Sequence, residues 1–400
     1  MSAPTRHRGF LLALVLSLLP LTGCWDRIEV NDVALITGAA IDKVGPNTIL
    51  LSVQIFVPRS SSNNAMGNQG ANVGNQASIV TSATGENIAD ALSHIQEKLP
   101  RKLFWGHSEV FIFSEDIAKD GIRDEIDYLM RAPQPRERAY MYVAKGKARQ
   151  MLTTQSFLER NSAEIMREIS KGKLSLSTTL AELARMLVDE TGAAATPWID
   201  MQPVSAPNNY DSMPSPVNGT AIFRDGKLVG VIDEFTTRGV LWIRNDIKQA
   251  VVTVNPEENS LNSVSLRLIT SRTKIRPLIK NGTWSMDIQI RTENNALQNS
   301  TSLKISADPE AVKIIETAMN KDIEDRVRIA LNKVQKELKA DIFDFGGAFH
   351  RAYPKEWEQN KGNWEEIFPK LEVTIHPHAT IQRPGLTSIK EVEFEEKPRR

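Results

Sequence analysis

VALITGAAID (residues 33–42) and TILLSVQIFV (residues 48–57) are two apolar runs separated by the turn residues Val44-Gly45-Pro46-Asn47. Each run is rich in β-branched and aliphatic side chains, as strands are, and the Gly-Pro-Asn step supplies turn chemistry. The pair predicts a β-hairpin.

On its N-terminal side the hairpin is preceded by RHRGFLLALVLSLLPLTGCWDRIEVND, residues 6–32. Arg6, His7 and Arg8 form a basic patch, and Phe10 to Leu19 an apolar run too short to span a bilayer. This is the layout of a secretory signal. Leu21-Thr22-Gly23-Cys24 resembles the lipobox of bacterial lipoproteins. The resemblance implies cleavage between Gly23 and Cys24, a diacylglycerol on the Cys24 thiol and an optional acyl group on its amine. Cys24 is the only cysteine, so no disulfide forms within the chain, and a lone exported thiol needs an explanation that lipidation supplies. Residues 1–23 are therefore expected to be a cleaved signal peptide. The mature chain is expected to be tied through its first residue to the outer face of the cytoplasmic membrane.

The chain has 400 residues, with 49 Lys+Arg against 49 Asp+Glu. Loss of residues 1–23 removes Arg6 and Arg8 and leaves 47 against 49, a net charge of −2. With 41% hydrophobic and 24% charged residues, the composition is that of a globular protein, neither disordered nor polytopic. Neutral balance gives no reason to expect a nucleic-acid partner.

On the C-terminal side, Ser/Asn/Gly-rich residues 59–77 read as a mobile loop. Ser78–Ala83 is a predicted strand and Asn87–Leu99 a helix. Val110–Phe113 and Ala139–Ala144 are predicted strands flanking a helix from Ser114 to about Arg131, a crossover that implies a mixed sheet. Helices are expected over Phe157–Ile169 and Leu180–Glu190, the second with capping-box spacing at Thr179 and Glu182. Residues 201–218 read as a linker. Thr220–Phe223 and Leu228–Ile232 predict a hairpin, and Thr236–Ile247 a short helix. Strands are expected over Ala250–Val254, Ser263–Ile275 and Thr283–Arg291. Asp308-Pro309-Glu310 starts a long helix. Its stripe, Ile315, Met319, Ile323, Val327, Leu331, Val334 and Leu338, runs to about residue 340. A shorter helix covers about Gly347–Asn360. Leu371–Ile375 is a predicted strand broken by Pro377, and the charged tail 391–400 is expected to be frayed.

The expected fold class is α+β, with mixed or antiparallel sheets and a C-terminal domain in which one long helix, 309–340, packs on a sheet; the length suits two or three domains. The expected divisions are 24–195, a small middle domain 196–250, and 251–390.

No Walker-type glycine loop, G-x-S-x-G, HExxH or CxxC is present. His376 and His378 have the spacing of a metal pair on a strand face, but read better as surface or packing histidines around Pro377. His107 follows an aromatic pair and reads as structural. Asp116, Asp120, Asp124 and Asp127 surround a helix as a solvated face. The dispersed tryptophans read as core or inter-domain anchors. No catalytic, cofactor-binding or metal-binding residue is assigned.

Several segments carry a family likeness. Gly23-Cys24-Trp25-Asp26-Arg27-x-Glu29-x-Asn31-Asp32 runs into Ile36-Thr37-Gly38-Ala39-Ala40-Ile41-Asp42. Further on come Lys102–His107, Val143–Ala148, Gly219–Phe223 with Lys227–Gly230, Arg238–Trp242, and Trp364 to Leu386. Together they resemble the Ger(x)C family, the C subunits of spore germinant receptors. Trp105 stands where that family has a second Phe. The resemblance implies a non-enzymatic lipoprotein of the spore inner membrane, with three α/β domains, acting with integral-membrane A and B subunits in nutrient-triggered germination. A solute-binding lipoprotein of an uptake system is the alternative, and would need two similar doubly wound lobes. A membrane-tethered enzyme would need converging, perturbed titratable groups in a deep pocket.

Overall fold

The computed structural model describes residues 32–57, 78–154, 159–200, 217–257, 262–305 and 308–383. The predicted signal and lipobox residues, the loop 59–77, most of the linker 201–218 and the tail lie outside them. The described residues form two sheets with helices packed on both, the expected α+β class with a long C-terminal helix.

The hairpin of β1 (Val33–Gly45) and β2 (Thr48–Phe56) forms as predicted, Ala40 facing Ser52 and Ile41 facing Leu51. β3 (Ser78–Gly85) adds to β2. On the other side of β1 come β5 (Val110–Ser114), β6 (Tyr140–Ala144) and β7 (Ala193–Ile199), all parallel. The antiparallel strands β8 (Val217–Arg224) and β9 (Lys227–Asp233) complete a nine-stranded mixed sheet, and the short β4 (Lys102–Phe104) pairs with β1 off the main path. β7 crosses the boundary expected near residue 196, and β8 and β9 are hydrogen-bonded members of this same sheet.

Helix α1 (Ile88–Gln96) buries Ile88, Ala91 and Ile95 and is capped by Asn87, whose side chain accepts from the Asp90 N–H. The single helix expected from Ser114 to Arg131 is two, α2 (Glu115–Asp120) and α3 (Arg123–Arg131). They break at Gly121, at φ 133°, where Ile122 N–H turns to donate to the Gly226 carbonyl in the β8–β9 turn at 3.0 Å. α4 (Ala148–Thr153), α5 (Ser162–Lys171) and α6 (Leu180–Val188) follow, α6 with the predicted capping box at Thr179 and Glu182. α5 starts later than predicted because Asn161 caps it, accepting from the Glu164 N–H.

The second sheet is β10 (Val251–Val254), β11 (Val264–Lys280), β12 (Thr283–Asn299) and β13 (Glu372–Arg383), with β12 and β13 parallel. β11 and β12 are each longer than the sequence predicted, because they pair along their whole length around the Asn281-Gly282 turn. β13 does not stop at Pro377. It is an edge strand, where a residue without an amide hydrogen is tolerated. Its Ala379 and Ile381 N–H groups point away from β12, to Asn320 Oδ1 at 2.7 Å and Glu316 Oε1 at 2.9 Å. Pro377 belongs to the same alternating set.

Both acceptors lie on α8 (Pro309–Leu331), which is capped by Asp308 and continues as one π-helical segment, Asn332–Glu337. At 1.5 Å per residue α8 is about 35 Å long. Its stripe Ile315, Met319, Ile323, Val327 and Leu331 is buried as predicted. The helix predicted over 347–360 is α9 (Phe345–Ala352) and α10 (Pro354–Asn360), divided at Tyr353 because a residue before proline leaves the helical region. A final turn, α11, spans Trp364–Ile367.

Helix α7 (Glu234–Ile243) lies between the two sheets. Its Val240, Leu241, Trp242 and Ile243 share one buried cluster with Ala195 and Ile222 of the first sheet, Leu266 and Ile288 of the second, and the α8 stripe. Contact between α7 and α8 is close at Gly239, where a Cβ would meet the Arg326 carbonyl oxygen at 2.2 Å and Ala330 Cβ at 2.8 Å. Gly239→Ala forces the two helices apart. It is expected to lower the unfolding free energy by about 1–3 kcal/mol, read from urea denaturation; an unchanged midpoint would refute this packing.

Candidate interaction surfaces

The motif residues of the N-terminal part are mostly structural. The fully buried Asp42 ends the ITGAAID run, and its carboxylate accepts from Ala148 N–H at 2.7 Å and Arg149 N–H at 2.9 Å. It thereby caps α4, joining that run to the Lys145–Ala148 segment. Burial pushes the Asp42 carboxyl above its ordinary value despite these bonds. Gly38 leaves room for α4 and α5, a Cβ there meeting Ala163 Cβ at 3.0 Å and Leu152 Cδ2 at 3.2 Å. Gln54, also buried, donates to the Leu152 carbonyl and Ser162 Oγ, both at 2.9 Å.

Trp105 is buried against Phe111, ring centroids 5.8 Å apart. His107 is exposed beside Arg136 Nη2 at 3.3 Å. The four carboxylates around α2 and α3 do not converge: Asp116 pairs with Lys147, Asp120 with Lys43 and Asp127 with Arg131, while Asp124 sits in the first turn of α3. His376 and His378 both point outward from β13, and His376 Nε2 lies 3.1 Å from Asp287 Oδ1. Trp198, Trp242, Trp357 and Trp364 are buried.

A junction that the sequence did not reveal lies where α9 and α10 meet the turn after α6. Glu190 accepts from Trp357 Nε1, and His350 Nδ1 is 3.4 Å from Glu190 Oε2. The His350 ring stacks on Trp357. Gly346 is required there, since a Cβ would meet Thr191 Cγ2 at 2.7 Å and Trp357 at 2.8 Å. Behind it, Asp341 accepts from Phe345 N–H at 3.1 Å, Gly346 N–H at 2.7 Å and Trp364 Nε1 at 3.1 Å. Trp364 also packs on Trp357 and Phe349, at 5.1 and 5.8 Å. The arrangement holds α9 by its N-terminus, where backbone N–H groups lack helical partners.

Among the described residues, Glu190, His350 and Glu358 are ligand-type side chains whose atoms come within 4.8 Å of one another. The Glu190 carboxylate is already committed to Trp357, and Glu358 pairs with Lys361 at 2.8 Å. Both carboxylates thus have partners within the junction. Two open grooves flank α8. One, of 590 Å³, runs between β9 and the C-terminal part of α8, lined by Ile232, Thr236, Arg328 and Ile329. The other, of 700 Å³, lies between β10 and its N-terminal part, lined by Val254, Lys313, Ile314 and Asp325. No helix among the described residues is long and apolar enough to cross a membrane.

Two family models cover most of the chain: "Spore germination protein N-terminal domain" over residues 26–201, and "Spore germination B3/GerAC like, C-terminal" over residues 218–385. The Bacillus subtilis spore germination protein YfkR is 30% identical over 94% of this chain and 96% of its own length. Spore germination protein KC of Bacillus subtilis is 28% identical over 95% and 97%. The crystal structure of the GerBC protein superposes with a TM-score of 0.57 at 18% identity, covering 86% of this chain and 97% of that one. The chain belongs to the GerAC family of spore germination proteins. The relatives it matches are spore germination proteins.

Asp341 provides a test of the junction. Burial raises its carboxyl to about 6 from an ordinary value near 4. The folded form therefore holds this proton more tightly than the unfolded chain. The resulting stability is present at low pH and lost as pH rises through about 4 to about 6. Relative to Asp341→Asn, the wild type is expected to gain about 2–3 kcal/mol as pH falls from about 7 to about 4. Parallel stability–pH curves for the two proteins would contradict this.

Proposed function

We propose that this chain is a lipid-anchored, non-enzymatic subunit of a spore germinant receptor. It acts at the spore inner membrane by docking on integral-membrane A and B subunits in nutrient-triggered germination. The single observation that carries the reading is the likeness of the whole chain, from residue 26 to residue 385, to spore germination proteins. The lipobox Leu21–Cys24 supports the anchor: two acyl chains hold a protein on a membrane where one does not. The uses of buried polar groups support docking rather than turnover, because Asp42, Gln54 and Asp341 are spent on positioning helices. A solute-binding protein would close two similar lobes on a ligand, whereas here a nine-stranded mixed sheet stands beside a four-stranded one.

The lipidated protein is expected to co-purify with integral-membrane subunits from spore inner membrane. Recovery without membrane-protein partners would count against the receptor reading. Cys24→Ala is expected to release the chain from the membrane or block its processing, and to reduce germination in response to nutrient. Membrane retention and normal processing of that variant would sink the anchor alone and leave the docking reading standing.

A further inference from the structure

The outer face of the second sheet carries a row of cations that have no ion-pair partner among the described residues. A β-bulge between Leu268 and Thr270 shifts the alternation of β11 by one residue. Beyond it, Ile275 and Ile279 turn to the core side, and Arg272, Lys274, Arg276, Leu278 and Lys280 turn outward, all exposed. From Arg272 to Lys280 the row is roughly 27 Å long, with side chains about 7 Å apart. Arg272 stands directly opposite Arg291 of β12, which is itself opposite His378 of β13. Like charges directly across a ladder destabilise it.

No carboxylate among the described residues forms an ion pair with Arg272, Lys274, Arg276, Lys280 or Arg291. The carboxylates on the face are Asp287, Glu293 and Glu372. Asp287 lies opposite Arg276 but is held by His376 and by Gln289 Nε2 at 3.0 Å. Glu293 and Glu372 sit near opposite ends of the β12–β13 ladder. The cost of the cationic row is therefore only partly relieved from within the sheet, at Arg276 opposite Asp287.

We infer that this face docks on an anionic phospholipid surface. A protein partner would be expected to bury an aromatic or apolar centre, and Leu278 is the only large apolar side chain in the row. Both grooves lie elsewhere, beside α8. An exposed sheet bearing evenly spaced, unpaired cations suits diffuse attraction to lipid headgroups, at about 1 kcal/mol for each Lys or Arg near the surface. The inference builds on the proposed membrane location but needs no lipid on Cys24.

The test uses the unlipidated polypeptide 25–400, which contains every described residue, with vesicles of phosphatidylglycerol and phosphatidylcholine or of phosphatidylcholine alone. The protein is expected to co-sediment with the anionic vesicles only, and less as salt is added. Triple reversal, Arg272→Glu with Lys274→Glu and Arg276→Glu, is expected to weaken that binding at least about a hundredfold. Reversal of the exposed Lys336, Lys355 and Lys370 is expected to leave most of it. Circular dichroism melts confirm that each variant is folded. Absence of binding to anionic vesicles, or equal loss in both triple variants, would overturn the inference. So would a β11 reversal that spares vesicle binding but abolishes capture by detergent-solubilised membrane subunits, which would make the face a protein contact. None of these results bears on the Cys24 anchor.

Discussion

The approach of α7 to α8 at Gly239 is the constraint on which the rest of the structure depends. A glycine in a helix interior costs about 1 kcal/mol relative to alanine, and α7 accepts that cost because only a hydrogen fits against the Arg326 carbonyl. The close crossing lets a ten-residue helix serve two sheets. One side reaches β8 and β9, the other the α8 stripe and the second sheet, and Trp242 lies fully buried between them. A larger residue at 239 would separate exactly those surfaces whose shared burial makes the two sheets one body.

Further ties act at the margins of that contact. Leu338 fills the space over Gly230 on β9, where a Cβ would come within 2.5 Å. The Glu190–Trp357 bond and the Gly346–Thr191 contact hold α9 and α10 to the turn after α6. Each tie couples a residue of the first sheet or its helices to one near or beyond the end of α8. The buried carboxylates follow a common logic. Asp42 and Asp341 each turn an acceptor-only group toward the unpaired N–H groups of a helix start, which satisfies both partners without a counter-cation.

How much of this was legible follows from periodicity. The β1–β2 hairpin, the α6 capping box and the α8 stripe each rest on local signals, and each formed where those signals lay. The elements misjudged were decided by distant neighbours. Gly121 divides α2 from α3 because the β8–β9 turn offers a carbonyl, and β13 passes through Pro377 because α8 supplies the outward acceptors. The Glu190–Trp357 junction joins residues 167 positions apart, and nothing in either segment announces the other. The basic row was half visible: Arg272-x-Lys274-x-Arg276 alternates with strand period. Its meaning depended on the bulge at Ile269, which decides which set faces out.

A lipid chain at the start of a polypeptide fixes distance from a membrane but not orientation. In the proposed arrangement, residues 25–31 separate the acylated Cys24 from the described fold, a reach of at most about 28 Å. Within that reach a body with one unpaired cationic face has an orientational preference, because tethering turns a weak surface attraction into an intramolecular one at high effective concentration. The preference is transmitted to the whole molecule only if the two sheets do not swivel. That makes the crossing at Gly239, outside the basic row in sequence, part of what would set the angle of the first sheet to the membrane in the proposed arrangement.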